Sequence, residues 1–287
     1  MSKTLVFVDS VCDLSEAEIK KLGIFMVPLT VHFRDKQFVD KHEINCRSLF
    51  SMIRKYNCMP RTSQPSPETF MKAFRDAGEC DDIICITMTS QSSGTYASAL
   101  LAQGLLREEG FLPRIHIVDS LNVSHATGIL AKRAAQMASD NIPADEIVAV
   151  LREMVPRSSI YFVLETLEYV RRGGRIGAIK ATIGSLLRIK PILTFIRGIP
   201  TDVDKIRGME QAKQWLFNKF SAVAETYDEV TVIHADSYED AKSFSKMLEA
   251  RYQKIRVNIQ EIGAVLAVYA GPKAIGLSFL EKSPKWT

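Results

Sequence analysis

Two polar loops hold the residue types that could do chemistry. One is Thr62-Ser63-Gln64-Pro65-Ser66; the other runs from Thr89 through Ser93-Gly94 to Thr95. The second follows a short apolar run at 83–86 and precedes a helical pattern. In open α/β sheets ligands bind there, beyond the carboxyl ends of the strands. The free N–H groups and partial positive charge of a helix start suit an anion. Gly94 lets the backbone come close, and the hydroxyls of Ser93 and Thr95 can donate to a carboxylate or phosphate. Capping a helix is enough to explain Ser66, and Ser90 and Ser92 fit either role. The whole polar run is longer than a cap requires, so Ser93-Gly94-Thr95 is read as binding an anion.

Other chemistries find no motif. The loop lacks the G-x-x-x-x-G-K spacing of a phosphate-binding P-loop and the G-x-S-x-G of a nucleophile elbow. Nothing in the order of Asp119, His125 and Ser93 says that they meet as a triad. The five histidines and five cysteines show no metal-ligand spacing and no C-x-x-C pair, so reduced thiols and no metal are expected. A net charge of +4 is too mild for a nucleic-acid binder. No apolar run is long enough to span a membrane. The opening Met1-Ser2-Lys3-Thr4 runs into Leu5-Val6-Phe7-Val8, too short for a signal peptide, and a cytoplasmic protein is expected. Arginines 171, 172, 175, 188, 197 and 207 make the second half basic, with Arg175 and Arg207 as candidates to complete an anion site.

The elements that must position these loops read as α/β. Apolar runs at 5–8, 83–86 and 115–118 alternate with helical patterns. Ser15 and Glu18 form a capping box before a helix stopped by Gly23; Asn45 caps a helix to Tyr56. Ser66-Pro67 opens a helix that ends near Gly78, and further helices are read at 96–109 and 123–139. Strands alternating with helices imply a parallel sheet covered on both faces. After Pro143 and Pro156 the texture changes. An extended run at 160–164 leads to Arg171-Arg172-Gly173-Gly174-Arg175, read as a flexible basic loop. Extended runs near 189–196 and Ile206, a long helix over 209–226, a strand at 230–233, a helix over 238–252 and a strand at 257–262 follow. At 287 residues, 46% of them hydrophobic, the chain can build two cores. The boundary is placed at Pro156, giving domains 1–156 and 157–287.

Taken in order, Val8-Asp9-Ser10 with Asp13-Leu14, Val27-Pro28-Leu29, the Thr62 loop, Ser93-Gly94-Thr95-Tyr96-Ala97-Ser98-Ala99, Val118-Asp119-Ser120, Arg172-Gly173-Gly174-Arg175-Ile176 and Ile189-Lys190-Pro191-Ile192 resemble the DegV family over essentially the whole chain. The resemblance implies a two-domain α/β fold with a long-chain fatty acid between the domains. It implies that hydroxyls and backbone N–H groups of the two loops hold the carboxylate. Thr62 and Ser93 lead, with Ser63 and Gly94 beside them; Arg207 is added as the basic candidate. It further implies a binding protein without catalysis or cofactor of its own, in some members presenting the acid to a separate fatty acid kinase subunit. The chain departs from the family pattern at Ser92, where an apolar residue is usual, and in Val268-Tyr269-Ala270-Gly271-Pro272-Lys273. There Tyr269 replaces a histidine, and it is expected to keep a hydrogen bond to the head-group network; packing of its ring beside Pro272 is the competing reading. Two rival functions remain: a sugar-phosphate enzyme using the Ser/Thr/Gly loop as a phosphate cradle, and an interaction protein docking through Arg171–Arg175.

Overall fold

The computed structural model describes residues 3–176, 179, 189–224 and 229–284. In the first half β1 (Thr4–Asp9), β2 (Phe25–Val27), β6 (Asp82–Thr87) and β7 (Arg114–Asp119) form a four-stranded parallel sheet in the order β2-β1-β6-β7. Strand alternation assigns its faces. Val6, Val8, Ile84 and Ile86 point to one core, against α5 (His125–Ser139) and α6 (Ala144–Met154). Phe7, Ile83 and Cys85 point to another, against α3 (Pro67–Asp76) and α4 (Thr95–Glu108). All six residues of β6 are buried, as a strand covered on both faces requires.

Between β2 and β6 the chain builds a small antiparallel sheet in the order β4-β3-β5, from β3 (Thr30–Phe33), β4 (Lys36–Val39) and β5 (Arg61–Ser63). The helix α1 (Glu16–Leu22) carries the expected capping box at Ser15, and α2 (Cys46–Tyr56) is capped by Asn45 as expected, in a capping box completed by Ser48.

The second half forms a six-stranded mixed sheet. Its strands are β8 (Ser158–Val163), β9 (Ile189–Ile196), β10 (Ile199–Arg207), β11 (Glu229–His234), β12 (Arg256–Glu261) and β13 (Ile275–Leu280), in the order β10-β9-β8-β13-β11-β12. Here too alternation sorts the faces. Tyr161 and Val163 pack under α8 (Met209–Ser221) and α9 (Tyr238–Arg251). Ile160 and Phe162 join a core that also holds Val11, Leu29 and Phe50 from the first half and Val265 from α10 (Ala264–Ala270).

Three expectations change. Residues 171–175 are not all loop, since α7 (Glu168–Arg172) carries Arg171 and Arg172 in its last turn, both paired with Glu168. The helix from 209 ends at Ser221; Thr226, like Arg188, lies outside the described residues. The strands β4, β5 and β13 and the helix α10 are absent from the sequence reading. Among the described residues no helix is long and apolar enough to cross a membrane.

Beneath the sheet ends lies a buried acidic layer. Asp9 accepts from the N–H of Met88 at 2.6 Å and from that of Val11 at 3.0 Å. Burial, with Asp40 and Asp13 nearby, pushes its carboxyl from 3.8 to about 7 against those hydrogen bonds. The folded chain therefore keeps a proton that the unfolded chain has released. The contribution of Asp9 to stability is greatest below pH 3.8, declines as the pH rises to about 7, and is flat above that. Melting temperature measured across that range should fall more steeply with pH for the native chain than for Asp9→Asn. Parallel profiles would show that Asp9 does not titrate there.

Candidate functional site

A cavity opens between the two halves, enclosing about 840 Å³ including its mouth, within the usual size for a small-molecule site. Its walls are mostly apolar: Leu29 and Met88 from the first half, Phe162, Leu193 and Phe195 from β8 and β9, Val265 from α10. The polar lining is Thr62, Gln64, Ser92, Ser93, Arg175 and Tyr269.

These polar groups are neighbours. The hydroxyls of Thr62 and Tyr269 are 2.5 Å apart. The Arg175 guanidinium lies 5.1 Å from the centre of the Tyr269 ring and donates to the Gly173 carbonyl at 2.8 Å, a cation–π arrangement. Gln64 follows Thr62 by two residues, and its amide rests where a side chain on Gly94 would stand, with Oε1 2.6 Å from that position. The backbone at Gly94 is ordinary for any residue (φ −76°), so what a side chain there would displace is the flexible end of Gln64. Gln64 also donates to Ser98 at 3.4 Å, tying the two loops together. The Ser93 hydroxyl lines the cavity while sharing a hydrogen bond with Thr95 Oγ1 at 2.8 Å and accepting from the Thr95 N–H at 3.3 Å. Ser93 is thus both cap and wall. Ser66 caps α3 by accepting from Thr69 N–H.

The other sequence candidates stand elsewhere. Thr62 and Ser63 are adjacent on β5, so their side chains take opposite faces. Thr62 faces the cavity, and Ser63 is exposed and bonds His32 at 2.8 Å. Gly94 gives no wall of its own but room for Gln64. Arg207 is exposed at the end of β10, opposite Ile189, away from the cavity. The ring of Tyr269 lies against the backbone at Gly173. The imagined triad does not assemble. Asp119 accepts from the N–H groups of Ser90 and Leu121, and His125 is buried against Thr231. Among the described residues no cluster of His, Cys, Asp and Glu could hold a metal.

The site is roofed and floored by long-range contacts. The turn between β9 and β10 docks on the second loop, where Thr89 donates to the Gly198 carbonyl at 2.9 Å. This fixes the wall that carries Leu193, Phe195 and Pro200.

A family model described as "Uncharacterised protein, DegV family" matches residues 3–282. The chain belongs to the DegV family. A DegV domain-containing protein of Caldanaerobacter subterraneus subsp. tengcongensis is 34% identical over 285 residues, covering 98% of this chain and 100% of the relative. A solved DegV family protein from Thermus thermophilus, reported for its fatty acid binding, superposes with a TM-score of 0.88 at 29% identity, over 98% of this chain and 100% of that one. DegV from Bacillus subtilis, described as a fatty acid binding protein, gives 0.89 at 28% identity with the same coverage. The α/β architecture expected from the sequence is the DegV architecture.

Proposed function

We propose that this DegV family chain binds a long-chain fatty acid in the cavity between its two sheets, which we take as domains divided near Pro156. The observation that carries the reading is the segregation of the lining. The Thr62 and Tyr269 hydroxyls lie with Arg175 in one polar cluster, Ser93, Ser92 and Gln64 line the same cavity, and the other lining residues are apolar. A carboxylate is an acceptor-only group matched by hydroxyl donors and a guanidinium. An acyl tail needs nothing but apolar contact. Burying one methylene contributes about 0.8 kcal/mol, so roughly fifteen contribute on the order of 12 kcal/mol before ordering costs. The tail then supplies affinity and the polar cluster fixes orientation. The fatty acid binding reported for the Thermus and Bacillus proteins supports the same reading. A sugar phosphate fits less well, because its hydroxyls would meet aliphatic and aromatic walls without partners.

In this reading the protein is a cytoplasmic carrier with no chemistry of its own. Its partner is a kinase subunit that reaches the carboxylate, and the exposed arginines of α7, the helix whose Val170 lines the cavity, are the docking face we assign to it. Protein purified from a bacterial host and extracted with organic solvent should release a fatty acid of roughly 14–18 carbons, the length that the tail-burial argument favours. Mass spectrometry of the extract checks this. A protein that emerges empty and takes up neither palmitate nor oleate would end the proposal.

A further inference from the structure

The helix that carries Tyr269 is short, and its far end is held by residues from the other half of the molecule. Asp13 Oδ1 accepts from the Gly263 N–H at 2.7 Å, and Asp40 Oδ1 from the Val265 N–H at 3.3 Å. These are the cap residue and the second residue of α10, whose N–H groups have no partner inside the helix. Both carboxylates are fully buried, and each is fixed again from behind. Ser124 Oγ donates to Asp13 at 2.6 Å, Lys41 Nζ at 2.9 Å, and Ser10 Oγ donates to Asp40 at 2.7 Å. Gly263 makes the arrangement sterically possible, because a Cβ there would come within 2.8 Å of Lys41 Cε and within 3.4 Å of both carboxylates. At its other end α10 places the Tyr269 hydroxyl on Thr62, and between the two ends it lends Val265 and Leu266 to the cavity.

We propose that Asp13 and Asp40 are positioning residues for carboxylate recognition, setting through α10 where the Tyr269 hydroxyl stands. This rests on the fatty-acid reading above. No intrahelical cap competes with them, since Gly263 offers no side chain. Seven residues are too few for α10 to hold itself. A shift of the capped end therefore moves the tyrosine.

The test compares palmitate with hexadecanol, which has the same tail length and no charge, on the full chain. Asp40→Asn is expected to weaken palmitate binding about tenfold and hexadecanol binding by less than about twofold. In a Tyr269→Phe background the same substitution should cost palmitate almost nothing more, because the group it positions is gone. Equal losses for acid and alcohol, or an undiminished loss in the Tyr269→Phe background, would overturn the proposal. Should Asp40→Asn fail to fold, Gly263→Ala disturbs the same junction without removing a charge and carries the same expectations. If the native chain binds neither ligand, the fatty-acid reading fails, and the positioning claim is then decided by the ¹⁹F resonance of 3-fluorotyrosine at position 269. Its displacement in Asp40→Asn supports the claim; an unmoved resonance refutes it.

Discussion

Asp13→Ala should destabilise the protein by about 3–5 kcal/mol, the usual cost of removing one partner from a buried ion pair. Three donors lose their acceptor at once: the Lys41 ammonium, the Ser124 hydroxyl and the Gly263 N–H. Burial works to lower the pKa of Lys41, yet the charge and hydrogen bond of Asp13, with Asp40, hold it above its ordinary value. Without Asp13 a cation stays in a pocket where water reaches it poorly. Chemical denaturation of the native chain and the variant measures the difference. A loss under about 1 kcal/mol, the scale of an exposed pair, would mean that the lysine finds water easily. Lys41→Met in the Asp13→Ala background should recover part of the loss, since it removes the stranded charge.

The second large effect concerns the ligand. Thr62→Val keeps the shape of the side chain and removes the hydroxyl that bonds Tyr269. A hydrogen bond to a charged group is worth about 1.5–3 kcal/mol, so affinity for a fatty acid should fall roughly tenfold to a hundredfold. The fall should be much smaller for the corresponding alcohol. Tyr269→Phe should give a similar selective loss, and the two changes together less than the sum, because the hydroxyls are partners. Thermal stability of the lipid-free protein should move little in Tyr269→Phe, where the ring still fills its place against Gly173. An acid affinity unchanged in Thr62→Val would remove the Thr62–Tyr269 pair from head-group recognition.

The first half of the fold was legible because its main strands are short apolar runs between turn residues and α1, α2 and α3 carry their own caps at Ser15, Asn45 and Ser66. The elements missed lack such local signals. The strand β5 is three residues long and polar, and it exists because Val31 and its neighbours on β3 pair with it. The helix α10 is apolar throughout, without a stripe, and its N-terminal N–H groups are satisfied by acids more than two hundred positions away. Of the residues that line the cavity, Thr62, Ser93 and Tyr269 are named by residue type and family pattern. Ser63 was not separable from Thr62 until β5 put the two on opposite faces. Gln64 looked like a loop residue, although its amide ties the two loops together. Arg207, chosen for its charge, is not among the residues that line the cavity.

The hydrogen bond from Gly263 to Asp13 closes over 250 positions of chain. During synthesis Asp13 emerges among the first residues and the segment that covers it among the last. Until then Asp13 and Asp40 lack the N–H donors of Gly263 and Val265, and Thr62 lacks Tyr269. The parallel sheet can form early, but the cavity proposed for the fatty acid is complete only when nearly the whole polypeptide has been made.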